Sequence, residues 1–216
     1  MQRQYFDCRV DLTVPLQVAL LFHSLLAEHV LPRQVRTFGA RQPPSRIYSD
    51  ASYEPDTDML AGIGFVAFDT SAAHASIGMA AELPKHVLDL FNQRHQQITP
   101  CEAILGVIVP HTLPHVMAGR DVLWYIDNQA ACEPLIKGSS TSFDLNFIAS
   151  LTHLMFARLR CRVFFEHIES EANPADGLSR DGLLDAWTLA QGLQAPDLID
   201  LIAVAASSLS TALQLV

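Results

Sequence analysis

Residues 46–83 read RIYSDASYEPDTDMLAGIGFVAFDTSAAHASIGMAAEL, and their grammar decides the architecture. RIYSDAS (46–52), GIGFVAFD (62–69) and HASIGMAAEL (74–83) are short runs rich in β-branched and aromatic residues. Glu, Pro, Asp and Ser fill the turns between them. Three consecutive strands with short connections predict an antiparallel meander. The first strand carries an acid, Asp50, near its end.

Downstream the period changes. PKHVLDLFNQRH (84–95) predicts a short helix, and TPCEAILGVIV (99–109) a second one that Pro110 should end. DVLWYID (121–127) is an apolar strand that again finishes on an acid. NQAACEPLI (128–136) predicts a short helix. In residues 143–159, Phe147, Ile148, Leu151, Leu154 and Met155 share one helical face. CRVFFEHI (161–168) reads as a fifth strand, and Asn173-Pro174 opens a last helix. Alternating strands and helices after a meander imply crossovers, hence an α/β fold with helices on a mixed sheet.

Upstream, residues 12–31 carry a helical pattern with Val18, Leu21, Phe22, Leu25 and Leu26 as its apolar stripe, expected to be packed. Residues 32–46 hold four arginines among Gln and Pro and read as a linker. The expected organisation is an N-terminal helical connection (1–44), the main domain (45–182) and a C-terminal helical tail (183–216).

Half of the 216 residues are hydrophobic, enough for a substantial core. The net charge of −9 repels nucleic acid, so any nucleic-acid chemistry needs cations, local basic residues or a partner domain. Cys8, Cys101, Cys132 and Cys161 form no CxxC pair, which points to reduced thiols and an intracellular setting, cytoplasm or nucleus. His111 and His115 are spaced for a helical metal pair, but Pro110 and Pro114 argue for a loop with two ordinary histidines. The apolar stretch 12–31 is broken by His23, Glu28 and His29. The stretch 198–216 holds Asp200 and four Ser or Thr residues. Docking helices are expected rather than membrane spans.

Four acids remain to be explained. Asp50 and Asp127 lie at strand ends. If those strands are parallel neighbours, both acids meet at the rim where ligands bind in open α/β sheets. Glu102 and Asp176 read as first-turn residues of helices, where the helix dipole helps to keep a carboxylate ionised. Each has a plain alternative as a turn residue or capping-box acid. Together they make a site that needs countercharge, and hard oxygen ligands suit Mg²⁺ or Mn²⁺. Two such ions roughly 3.5–4 Å apart can clamp the attacking and leaving oxygens of a phosphodiester.

YSDAS, ITPCEA, YIDNQAA with LIKGSS, and SEANPADGLSR, in that order, resemble the ribonuclease H domain of retroelement reverse transcriptases. The resemblance spans about residues 45–182. It implies a five-stranded mixed sheet of order 3-2-1-4-5 with helices on both faces. It also implies a two-Mg²⁺ site at Asp50, Glu102, Asp127 and Asp176 that cleaves the RNA strand of RNA/DNA hybrids. Asp50 would bridge both ions, Asp127 would orient the water, Glu102 would sit near the 2′-hydroxyl and Asp176 would be the looser ligand. Substrate contacts would fall at Ser52, Asn128 and Gln129, although Asn128 and Asn173 also read as caps. The segment before residue 40 looks like the connection to a polymerase domain, which would be the natural partner. Two features depart from the pattern. The loop ESEANPA lacks the histidine that many relatives place before the last acid; His167, at the end of the fifth strand, reads as a partly buried strand residue before it reads as a substitute reaching in. Gly177 is expected to loosen the last helix. An integrase or exonuclease reading is disfavoured by Asp176 as the last acid and by Ser52. The serious alternative is a catalytically weak or inert module with an interaction role.

Overall fold

The computed structural model describes residues 13–29, 43–55, 61–70 and 75–193. Cys8, the linker arginines up to Arg41 and the stretch 198–216 lie outside them. The elements are α1 (Val14–His29), β1 (Ser45–Tyr53), β2 (Ala61–Asp69), β3 (Ala75–Glu82), α2 (Lys85–Leu88), α3 (Ile98–Ala103), α4 (Leu105–Thr112), α5 (Pro114–Met117), β4 (Asp121–Ile126), α6 (Gln129–Lys137), α7 (Phe143–Leu159), β5 (Arg162–His167), α8 (Asp176–Asp181) and α9 (Ala186–Gln191). Short 3₁₀ turns cover Ser170–Ala172 and Gly182–Leu184.

The sheet order is β3-β2-β1-β4-β5. β1, β2 and β3 form the antiparallel meander, whereas β1–β4 and β4–β5 are parallel. This is the five-stranded mixed sheet that the four sequence blocks implied. Strand alternation sorts β1 between two faces. Ile47 and Ala51 enter the main core with Phe65, Trp124 and Ile126. Asp50 and Ser52 face the other way, toward α8. The core face is roofed by α3, α4, α6 and α7 and the opposite face by α8, so helices lie on both sides. The Trp124 ring is fully buried, and its Nε1 donates to Ser49 Oγ at 2.8 Å, which ties β4 to β1 from within the core.

Two glycines in β2 set how closely α8 can approach. A Cβ on Gly64 would stand 2.6 Å from Leu178 Cβ and 2.7 Å from Ser179 N. One on Gly62 would stand 2.7 Å from Ser52 Oγ and would overlap the Ser179 carbonyl. Gly64 is the register partner of Asp50, so the missing side chain makes room for α8 directly beside that acid.

Several local expectations are corrected. The helix after β3 is one turn, Lys85–Leu88, rather than the span 84–95. The remainder is held in irregular form because the Asn92 N–H and the Arg94 guanidinium both bind Asp144 on α7. Burial alone would raise the Asp144 carboxyl, but Arg94, Ser142 and two backbone N–H groups together bring it down to about 2. Pro110 does not end its helix and lies inside α4, where Leu105, Val107, Ile108 and Val109 are buried. Tertiary burial outweighs one lost backbone bond. His111 and His115 accordingly sit on α4 and α5, not in a loop. In α1, which touches α7, Val18 and Phe22 of the expected stripe are half-buried while Leu21 and Leu25 remain exposed, so the stripe is packed only in part. Gly177 is a fitted position. A Cβ there would collide with the Asp185 carboxylate, so the residue reflects close packing rather than looseness.

Asn173 is not the cap of α8, whose preceding residue Ala175 has no side-chain cap. Its Oδ1 accepts from Ala175 N at 3.1 Å, and its buried Nδ2 donates to Ser49 O at 3.1 Å, 124 residues away in sequence. This side chain fixes the loop before α8 to β1. Asn173→Ala is expected to destabilise the fold by about 1–3 kcal/mol, because it strands a buried carbonyl. Urea denaturation with an unchanged slope would verify it.

Candidate metal centre

Asp50, Glu102, Asp127 and Asp176 arrive from four separate elements. In the β1–β4 register Ser49 faces Ile126, so Asp50 and Asp127, each one residue further on, stand side by side. Asp176 opens α8, which lies over β1 and β2. Glu102 comes from the second turn of α3. Its expected first-turn place is corrected, because α3 begins at Ile98 with Gln97 before it, and Thr99 does not cap. One ligand oxygen from each of Asp50, Asp127 and Asp176 lies within 4.8 Å of the others. Among the described residues no other group of three His, Cys, Asp or Glu side chains gathers in this way. Glu102 shares a cleft of about 300 Å³ with Asp50, Asp127, Ser52, Ser170 and Arg180.

Each acid has a specific partner. Ser179 Oγ donates to Asp50 Oδ2. Ser170 Oγ donates to Asp127 Oδ2 at 2.6 Å. Arg180, one turn along α8, donates to Asp176 Oδ1 at 2.9 Å. Asn128 Nδ2 donates to Glu102 Oε1 at 3.0 Å, while Glu102 Oε2 is buried with no hydrogen-bond partner among the described residues. Asp50 and Glu102 are 4% and 3% exposed, so dehydration rather than the helix dipole dominates their ionisation. Burial raises Asp50 to about 7, opposed by Ser179 and reinforced by the charges of Asp127 and Asp176. Burial raises Glu102 to about 9, opposed by Asn128 and reinforced by Asp127 and Asp50. The expectation that a helix start keeps Glu102 ionised is therefore overturned in the metal-free state. Burial, with the Glu102 charge, pushes the Cys101 thiol to about 12; Cys101, Cys132 and Cys161 are all buried.

These values carry a testable sign. Between about 4.5 and 9 the folded protein keeps the Glu102 proton that the unfolded chain has lost, so stability falls as pH rises, by up to about 1.4 kcal/mol per unit. Asp50 adds a similar slope only up to about 7. Glu102→Gln is neutral at every pH. In EDTA its Tm should exceed that of the wild type by a margin that widens from pH 7 to 9. Thermal melts showing parallel curves over that interval would refute the buried, protonated Glu102.

The remaining sequence candidates are placed as follows. Ser52 lines the cleft, but its hydroxyl is engaged with Ser179 O at 2.7 Å. The Asn128 amide is engaged at both ends, capping α6 through Ala130 N and Ala131 N and holding Glu102. Gln129 is exposed at the start of α6. His167 is exposed rather than partly buried, and its Nε2 lies 3.0 Å from the Asp127 backbone oxygen. Ser170 and Ser179 were missed as site residues. Their only sequence signal was position, one in the loop before the last helix and one three residues after Asp176.

Among the described residues no helix is long and apolar enough to cross a membrane. No protein-family model and no curated protein matches the chain. Solved structures do. The chain is similar to RNase H1 of the halophilic archaeon Halobacterium salinarum, with 16% identity over 67% of this chain and 100% of that one and a TM-score of 0.49. It is similar to an LC11 RNase H1 in complex with an RNA/DNA hybrid, with 14% identity over 62% and 92% and a TM-score of 0.40. It is also similar to the protease–reverse transcriptase of prototype foamy virus, with 15% identity over 75% of this chain but 22% of that one and a TM-score of 0.36. Likenesses this remote carry no argument about chemistry, which rests on the geometry of the site itself.

Proposed function

We propose that the protein is a metal-dependent endonuclease that cleaves the RNA strand of RNA/DNA hybrids, as the ribonuclease H domain of a retroelement reverse transcriptase does. The observation that carries this reading is the gathering of Asp50, Asp127 and Asp176 oxygens within 4.8 Å of one another beside a cleft that Asp50 and Asp127 line with Glu102, whose buried Oε2 has no hydrogen-bond partner among the described residues. An oxygen-only donor set with an orphaned carboxylate oxygen fits hard divalent cations. Asp50, Asp127 and Asp176 would hold Mg²⁺, or Mn²⁺, together with Glu102. Bound there, two such ions supply the positive charge that a phosphodiester and its attacking water require.

The chain's own residues prepare the place. Ser170 and Ser179 fix the carboxylate planes of Asp127 and Asp50, which limits the freedom lost on forming the site. Arg180 is the cation that lines the cleft, and it neutralises Asp176 in the metal-free protein. With a net charge of −9 and an acidic cleft, the chain is suited to borrow substrate affinity from a polymerase domain. Hybrid binding by the chain alone is expected to be weak and to weaken further with salt.

The test is cleavage of an end-labelled RNA/DNA hybrid by the purified protein with Mg²⁺, with Mn²⁺ and with EDTA. Cleavage confined to the RNA strand and abolished by EDTA supports the reading. No cleavage with either ion, also after addition of a polymerase domain, would favour the inert module.

A further inference from the structure

We infer that Asn128 is a positioning residue that sets Glu102 as a metal ligand, a role that rests on the endonuclease reading above. Three observations carry it. First, the amide has no freedom to turn. Its Oδ1 accepts from Ala130 N at 2.9 Å and from Ala131 N at 3.3 Å. A reversed amide would set its NH₂ against two N–H donors, so those contacts fix which end faces Glu102. Second, the end so fixed is a donor, and it meets Glu102 Oε1 at 3.0 Å. Third, Glu102 Oε2 is buried with no hydrogen-bond partner among the described residues, an arrangement that costs free energy unless a ligand completes it. One oxygen is thus clamped and the other left bare inside the cleft that also holds Asp50 and Asp127.

The chain connectivity adds a consequence. Asn128 directly follows Asp127, so β4 delivers one acid with its own carboxylate and the other through the next residue's amide. Asp127 and Glu102, which come from different elements, are therefore linked through Asn128, whose side-chain amide and backbone N–H both favour the charged Glu102. Capping alone does not require this. Serine, threonine or aspartate would cap α6 about as well as asparagine, yet none combines the cap with a donor long enough to reach Glu102.

That difference supplies the experiment. Asn128→Ser keeps a capping oxygen and removes the clamp. Affinity for Mn²⁺ alone would be measured by titration calorimetry on the full chain, for the wild type, N128S, E102Q, N128S/E102Q and D127N. Loss of an orienting partner typically weakens a metal site by 10–100-fold, and N128S should weaken Mn²⁺ binding by about that factor. The cap survives but Glu102 Oε1 loses its donor, so the N128S Tm in EDTA should fall only modestly, with the fold retained. In the E102Q background, N128S should cost less than about twofold more, since residues acting through one contact are not additive. If N128S fails to fold, Asn128→Thr makes the same comparison.

Wild-type affinity in N128S would overturn the clamp. So would a full additional loss in the double variant, which would mean that Asn128 acts through Asp127 or through the helix instead. If wild type and D127N alike take up no Mn²⁺, the metal reading itself fails and the clamp with it. If the wild type binds, D127N binds less and N128S binds normally, only the clamp falls.

Discussion

Asp127→Asn is expected to lower hybrid cleavage by at least about 10²-fold while leaving the fold intact. Asp127 is the acid through which the cleft is most tightly connected. It stands beside Asp50 at the parallel β1–β4 pair, its charge raises both Asp50 and Glu102, and Ser170 holds its Oδ2. The substitution keeps size and shape but removes the negative charge on which a divalent cation depends. Deleting one preorganised electrostatic group from an active site typically costs 10²–10³ in rate. The same substitution removes repulsion from two buried acids, so the Tm in EDTA should rise slightly rather than fall. Single-turnover cleavage and a thermal melt on one preparation read both effects. Undiminished cleavage would take Asp127 out of the mechanism, and a lower Tm would show that its charge does not strain the metal-free site.

The second large effect is on stability and comes from a residue with no functional group. Gly64→Ala would place a methyl 2.6–2.7 Å from Leu178 Cβ and Ser179 N, with β2 backbone behind it and α8 backbone in front. Neither side has a flexible end that could give way. Overpacking of this kind costs typically 1–3 kcal/mol and occasionally more, and here about 3 kcal/mol is expected. The damage should not stop at stability. Lifting α8 off β2 separates Ser179 from Asp50 and withdraws Asp176 from the cluster, so Mn²⁺ affinity should fall with Tm. Unchanged stability and metal binding in G64A would mean that α8 is not seated on β2 as described.

These two residues show what local sequence could and could not convey. Asp127 is visible as an acid closing an apolar strand. Gly64 reads only as a weak strand residue, because its reason is a helix over a hundred residues away. Pro100 shows the same limit. A Thr-Pro pair resembles a helix start, yet α3 begins earlier and Glu102 falls in its second turn. Pro110 resembles a stop, yet buried neighbours carry α4 through it.

By itself, the sequence determined the five strands, the helices around 129–137 and 143–159, and the four acids as candidates. Strand alternation, helical periodicity and the cap at Asn128 are all local properties of the backbone and its nearest side chains. Only the tertiary structure decided which acids are dehydrated, which oxygen is left bare and which hydroxyl or amide holds each carboxylate. Those follow from burial and from hydrogen bonds spanning up to 129 residues, such as Ser179 to Asp50. Solvent exclusion and long-range pairing arise when the layers close on one another, and no short window of residues contains them.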